Sequence, residues 1–175
     1  MIATREETLD ASSDVSLERP RAEDGAEVSG LIARCPPLDC NSAYCNLLQC
    51  TDFAGTCVVA RRAGRVVGWV SGYRPPAERG TLFIWQVAVD PAVRGARLGE
   101  RMIRAIFARP EQSGATRIRT TITQENESSW RLFRRVAANL GAPFEAEPWF
   151  LHHSHFAGRH DTEHMVTIGP IPAAA

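Results

Sequence analysis

The chain contains no lysine: all twenty of its basic residues are arginine. No lysine Schiff base and no P-loop-type lysine is therefore available, and an anion must be held by guanidinium or backbone N–H groups. Neither sign of charge is in excess, since the formal net charge is zero. That leaves no basic footprint for nucleic acid and no polybasic patch for a membrane surface. Apolar runs stay well short of the roughly 18–20 residues that span a bilayer. The opening MIATREETLDASSDVS is polar and acidic and lacks the apolar stretch of a secretory signal. A cytoplasmic protein is the expectation.

Metal-binding spacings are missing too. Four of the five cysteines, Cys35, Cys40, Cys45 and Cys50, recur every fifth residue. On a helix each such step turns the side chain by about 140°, so the four share no face. On a strand they alternate sides. Neither arrangement resembles a CxxC zinc knuckle, and free thiols, buried or half-buried, in a reducing compartment are expected. The five histidines, His152, His153, His155, His160 and His164, form no HExxH motif. Adjacent His152 and His153 would point to opposite faces of a strand. No metal is expected.

What is present is an ordinary globular composition, 44% apolar and 23% charged, which over this length supports a single domain with a real core. Residues 1–14 read as a disordered lead-in, 15–170 as the domain and 171–175 as a tail. Val15–Arg19 suggests a short strand stopped by Pro20. A helix follows over about Arg21–Arg34, with Val28, Leu31 and Ile32 at helical spacing, and Pro36-Pro37 end it. Asp39 is placed to cap a second helix whose apolar positions are Tyr44, Leu47 and Leu48. Thr56–Arg62, Arg65–Arg74 and Thr81–Asp90 read as strands, the first two joined by a tight turn at Ala63-Gly64. Leu98–Arg109 reads as an amphipathic helix, Thr116–Ile122 as a strand, and Asn126–Leu140 as a helix with Gly141 at C′. Trp149–Phe156 and Thr162–Gly169 complete the pattern as two strands around a His-rich loop. Three antiparallel strands followed by a β-α-β crossover predict an α/β domain, a mixed sheet with helices on both faces.

The first chemical signal lies where Trp85-Gln86-Val87-Ala88-Val89-Asp90 runs into Arg94-Gly95-Ala96-Arg97-Leu98-Gly99. A strand, a turn of small residues and a helix start together make an anion site: unpaired N–H groups point at the ligand and the helix dipole favours negative charge. Arg94 and Arg97 add charge-assisted donors. This segment resembles the acyl-CoA-binding motif of the GNAT superfamily, R/Q-x-x-G-x-G/A after the fourth strand, and the order of elements matches as well. The resemblance implies the GNAT N-acyltransferase fold, acetyl-CoA as co-substrate, and a pantetheine arm lying along Gln86–Val89 with a backbone N–H near Val87-Ala88 as oxyanion donor. Arg97 replaces the central glycine of the motif. An ordinary helical first turn needs no positive φ, so the arginine is expected to be accommodated there. Asn126 matches the helix-start asparagine that lies near the cofactor in this superfamily, and it reads equally well as a plain N-cap. Phe133 stands where many members carry a proton-donating tyrosine, and it has no proton to give.

Four further segments narrow the resemblance: Pro37–Tyr44, Val67–Tyr73, Thr81–Val89 and His160–Glu163 are similar to the L-2,4-diaminobutyrate acetyltransferases of ectoine synthesis. That family implies acetyl transfer to the γ-amino group of a small diamine, and a homodimer. The residues themselves suit a small zwitterion with an extra ammonium, which needs carboxylates for its amines, a polar or cationic group for its carboxylate and a wall that limits its length. Asp39 and Glu163 are amine partners or, alternatively, a helix cap and a surface charge. Trp85 either bounds the pocket, stacking on an ammonium, or packs in the core. Asn41, Ser42 and Tyr44 are polar candidates that also fit turn, cap and core roles, and Arg74 is a candidate for the substrate carboxylate. His160 opens the last matching segment, so it is the histidine placed for chemistry.

Direct attack of the amine on the thioester is the expected route. It requires a base to take the ammonium's proton, with Glu163, His160, Asp39 and Tyr44 as candidates. A cysteine acyl-enzyme is the rival mechanism. Rival functions are acetylation of another small amine, such as a polyamine or an antibiotic, and non-catalytic acyl-CoA binding.

Overall fold

The computed structural model describes residues 14–172. Apart from Asp14, the expected lead-in lies outside those residues, as do the last three residues of the tail. The elements are β1 (Ser16–Glu18), α1 (Gly25–Ala33), α2 (Ala43–Cys50), β2 (Val58–Arg62), β3 (Arg65–Tyr73), β4 (Thr81–Val89), α3 (Leu98–Phe107), β5 (Arg117–Thr123), α4 (Glu127–Leu140), β6 (Phe144–Phe150) and β7 (Glu163–Ile168). This is the order expected from the sequence.

The strands form one sheet in the order β1-β2-β3-β4-β5-β7-β6. Every neighbouring pair is antiparallel except β4 and β5. α3 is the crossover that the parallel pair requires. Strand alternation divides the core between the two faces. On β3, Trp69 packs with Val28, Leu31 and Ile32 of α1, while Val70 packs with Met102, Ile103 and Ile106 of α3 and with Phe133 and Val136 of α4. All these side chains are buried.

The ends of α4 agree with the sequence: the Asn126 side chain accepts from Ser129 N, and Gly141 adopts the left-handed conformation at φ 61°. α2 does not agree. Its cap is Ser42, whose hydroxyl accepts from Cys45 N at 3.1 Å, and not Asp39. With the helix starting later, its inner face is Asn46, Gln49 and Cys50. Asn46 bonds Ser29 Oγ on α1 at 2.7 Å, while Tyr44 is 70% exposed. A largely polar inner face gives no hydrophobic period: Tyr44 is exposed, Leu47 lies at the rim over Gly25, and Leu48 is only half-buried.

The penultimate strand also differs. It is Phe144–Phe150, not Trp149–Phe156. Its charges and Pro148 argue against a strand in the sequence, yet β6 is an edge, where proline costs no ladder bond. His152 and His153 therefore sit in the connection to β7 rather than on two faces of a strand, with ring centroids 4.5 Å apart. All five cysteines are free; Cys40 is exposed rather than buried or half-buried.

At Gly72 the sheet leaves no room for a side chain, because a Cβ there would lie 2.5 Å from the Phe83 carbonyl oxygen and 3.2 Å from that of Thr56. Backbone oxygens held in a ladder cannot yield as a side chain would. Gly72→Ala is expected to cost about 1–3 kcal/mol, read as a lower midpoint in urea denaturation with an unchanged slope.

Candidate active site

The site begins with an irregularity in β4. Its register with β3 runs Val70↔Val87 and Ser71↔Gln86 but then Gly72↔Ile84, so Trp85 is an extra residue, a β-bulge. A bulge bends its strand and re-aims the side chain it carries. On its other edge β4 pairs with β5 only at Thr81↔Arg117, Leu82↔Ile118 and Phe83↔Arg119. Beyond the bulge the two strands part.

A cavity of about 670 Å³ occupies the gap. Its walls are Trp85 and Val87 of β4, Thr120–Thr123 of β5, the start of α4, the connection between α1 and α2, and the segment leading into β7. A second cavity of about 460 Å³ adjoins it, sharing Val87 and Asn126, and extends over Arg94, Gly95, Arg97, Leu98 and Gly99. The two form one trough, with the phosphate-type turn at one end and a carboxylate-bearing pocket at the other.

The turn is built as an anion cradle. The Asp90 carboxylate accepts from Ala92 N at 3.0 Å and from the Arg34 guanidinium at 3.3 Å. Those two partners, the Ala92 N–H foremost, hold its pKa below the usual carboxylate range. Arg94 Nε donates back to the Val89 carbonyl. Gly95 takes φ +98°, a conformation that favours glycine. Gly99 lets α3 approach the sheet: a Cβ there would meet Val87 and Leu132 at 3.3–3.4 Å. Arg97 corrects the expectation of an ordinary helical turn. As the residue before α3 it adopts φ 53°, ψ 27°, the left-handed region that favours glycine. Guanidinium chemistry is thus gained at the cost of backbone strain.

At the other end stands Glu163, the first residue of β7, its side chain 18% exposed. Burial raises the Glu163 pKa above its ordinary value and nearby Asp39 adds to the rise, while His160, Thr121 and His164 oppose it. His160 Nε2 lies 3.8 Å from Glu163 Oε1. The buried Oε2 has no hydrogen-bond partner among the described residues. His160 is held from both sides: His152 Nδ1 bonds its carbonyl at 2.7 Å, and its own Nδ1 meets the Asp161 carbonyl at 2.8 Å. A carboxylate that is reluctant to ionise, with one oxygen uncommitted, is chemically a proton acceptor for an amine.

Of the residues proposed from sequence, Asp39, Asn41, Trp85, Gln86, Val87, Asn126, His160 and Glu163 line the acceptor cavity. Val89 joins Arg94, Gly95, Arg97, Leu98 and Gly99 along the second. Trp85 is 48% exposed, so it is a wall and not core packing. Five others do not line either cavity. Ser42 caps α2, Tyr44 faces outward from that helix, and Arg74 bonds Gln112 near the opposite end of the sheet. Ala88 packs its methyl in the α1 layer, so only its backbone can face the gap. Ala96 is not among the residues lining either cavity. Sequence reasoning missed Thr120, Thr121, Thr123, Ser129, His152, Arg159 and Asp161. The threonines carried a usable signal, since they end a strand of the parallel pair, where open sheets of this kind bind ligands.

The family model of the Acetyltransferase (GNAT) family matches residues 27–137. The L-2,4-diaminobutyric acid acetyltransferase of Methylotuvimicrobium alcaliphilum is 48% identical over 159 residues, covering 91% of this chain and 92% of that one. The chain belongs to the GNAT family and to its diaminobutyric acid acetyltransferase group. The group's member from Vibrio cholerae is 44% identical over 150 residues, covering 86% and 87% of the two chains. Among solved structures, the diaminobutyrate acetyltransferase EctA from Paenibacillus lautus, in complex with its substrate L-2,4-diaminobutyric acid and coenzyme A, superposes with a TM-score of 0.86. It is 33% identical and covers 92% of this chain and 98% of that chain. This chain's turn and trough fit an acyl-CoA: donors at one end, an open strand edge between, and a polar pocket beyond.

The strain at Arg97 is open to direct measurement. Arg97→Gly is expected to raise stability by up to about 1 kcal/mol, the cost of a left-handed residue less glycine's extra entropy. Arg97→Val is expected to lower it, and thermal denaturation of both variants distinguishes the two directions.

Proposed function

We propose that the chain transfers the acetyl group of acetyl-CoA directly to the γ-amino group of L-2,4-diaminobutyrate, giving N-γ-acetyl-diaminobutyrate for ectoine synthesis. The observation that carries this reading is the placing of Asp39 and Glu163 around one cavity at the end of the trough. Two carboxylates suit the two ammonium groups of the substrate. The bound thioester supplies an activated acetyl carbon. Glu163 takes a proton from the γ-ammonium, and His160 beside it stabilises the carboxylate before transfer. The freed amine adds to the thioester carbon to form the new C–N bond; the C–S bond then breaks, the thiolate departs, and the second amine proton passes to it, directly or through water. A β4 N–H near Val87 and Ala88, on the edge that β5 leaves open, receives the developing oxyanion. Phe133 is buried at the cavity wall and supplies no proton.

The cysteines argue against an acyl-enzyme. Burial pushes the Cys57 thiol up to about 12 and the Cys50 thiol to about 11, so neither is a nucleophile at neutral pH. None of the five lines the acceptor cavity.

The same reading makes the protein a cytoplasmic homodimer. It is compatible with the absence, among the described residues, of any helix long and apolar enough to cross a membrane. Exposed Trp149, Phe150 and Leu151 at the end of β6 supply apolar surface for a partner.

Mass spectrometry of the product from acetyl-CoA and L-2,4-diaminobutyrate is expected to show γ-acetylation. Acetylation of a bulky aminoglycoside with none of diaminobutyrate would sink the reading. Glu163→Gln is expected to lower kcat by about 10²–10⁴-fold. In the wild type, kcat/KM rises with pH through the raised Glu163 pKa, since the base must be ionised; that limb is absent in the variant. The raised pKa has the opposite sign for stability: the contribution is complete below the ordinary carboxylate pKa and is lost as pH climbs through the raised one. Glu163→Gln is therefore expected not to lower Tm at neutral pH.

A further inference from the structure

Gln86 joins the strand that carries the cavity wall to the segment that carries Asp39. It follows the bulge residue directly, and its side chain is only 6% exposed. Its Oε1 accepts from Asn41 Nδ2 at 2.8 Å. Its Nε2 donates to the Asp39 carbonyl at 2.8 Å. An amide bonded at both ends cannot swing toward a ligand without leaving buried polar atoms unpaired. Its side chain is thus committed to the protein, which leaves the backbone as the part of Gln86 that a cofactor lying along β4 would meet.

Besides these bonds the segment is fastened by Leu38, which packs against the core cluster around Trp69, a contact that fixes its depth but leaves the polar groups of Asp39 and Asn41 to Gln86. The connection between α1 and α2 contains two consecutive prolines and belongs to no regular element. Cys35 makes a weak thiol bond to the Val89 carbonyl at one end. Ser42 caps α2 at the other. Among the described residues, the side-chain hydrogen bonds that tie Asp39 and Asn41 to the sheet both go to Gln86. Across the cavity, Glu163 is fixed separately by the β5–β7 ladder.

We infer that Gln86 is a positioning residue: by clamping the Pro37–Asn41 segment it sets the span between the Asp39 and Glu163 carboxylates, and with it the length of diamine the pocket accepts. The inference rests on the diaminobutyrate reading above. A pocket of fixed span rejects a substrate one methylene longer, whereas a slack one adapts to it.

The test uses Gln86→Met, which keeps size but removes both bonds, and Asn41→Ala, which removes one. For Gln86→Met the KM for diaminobutyrate is expected to rise on the order of 10-fold or more, with a smaller fall in kcat and an unchanged KM for acetyl-CoA. Its preference for diaminobutyrate over ornithine, one methylene longer, shrinks. Asn41→Ala lies between it and wild type, and the double variant is no worse than Gln86→Met alone. Hydrogen exchange at residues 38–41, measured without substrate, is faster in both variants. A wild-type KM and chain-length preference overturn the inference, as does a rise in the KM for acetyl-CoA or unchanged exchange. Should the wild type fail to acetylate diaminobutyrate, the functional reading falls, and the exchange measurement still decides whether the clamp exists.

Discussion

The extra residue that β4 carries at Trp85 opens this sheet. Up to Phe83 the strand is an ordinary member of a continuous ladder, paired on both edges. The bulge then turns it away from β5, and the backbone edge beyond it faces a cavity instead of a strand. Three consequences follow from one insertion. An indole is aimed into the gap, a strand edge becomes available for an extended ligand, and the ends of β4 and β5 are far enough apart to admit a substrate between them.

The two ends of the trough are built by different physics. At the turn, recognition is a matter of backbone: Gly95 and Arg97 both hold positive φ, Gly99 lets the helix come close, and Asp90 ties the approach. At the acceptor end stand two carboxylates whose environments differ. Asp39 is exposed on a clamped segment, while Glu163 is mostly buried at the head of a strand and resists ionisation. On the proposed reading, a small diamine bridging them would meet one group suited to holding a positive charge and another suited to removing a proton.

Much of the fold was legible because its elements obey simple periods. The alternation on β3 and β4, the helical spacing in α3 and α4, and the caps at Asn126 and Gly141 each follow from local chemistry. α2 and β6 were misread because tertiary context reversed their signals. A helix can bury Asn46 when a neighbouring serine accepts from its amide, and an edge strand can hold Pro148 because no outer neighbour needs an N–H there. The site was legible in its motif residues and less so elsewhere: Asp39, Trp85, His160 and Glu163 converge on one cavity, while Tyr44 and Arg74 face away from it.

By itself the sequence determined the order of elements, the phosphate-type turn and the set of carboxylates, because these depend on residue type at short spacing. Only the tertiary structure decided where β4 parts from β5, which threonines face the gap, and that Gln86 is spent on holding Asp39. Those outcomes depend on register between strands distant in the chain. A shift of one residue changes which face a side chain meets, and no local pattern records it.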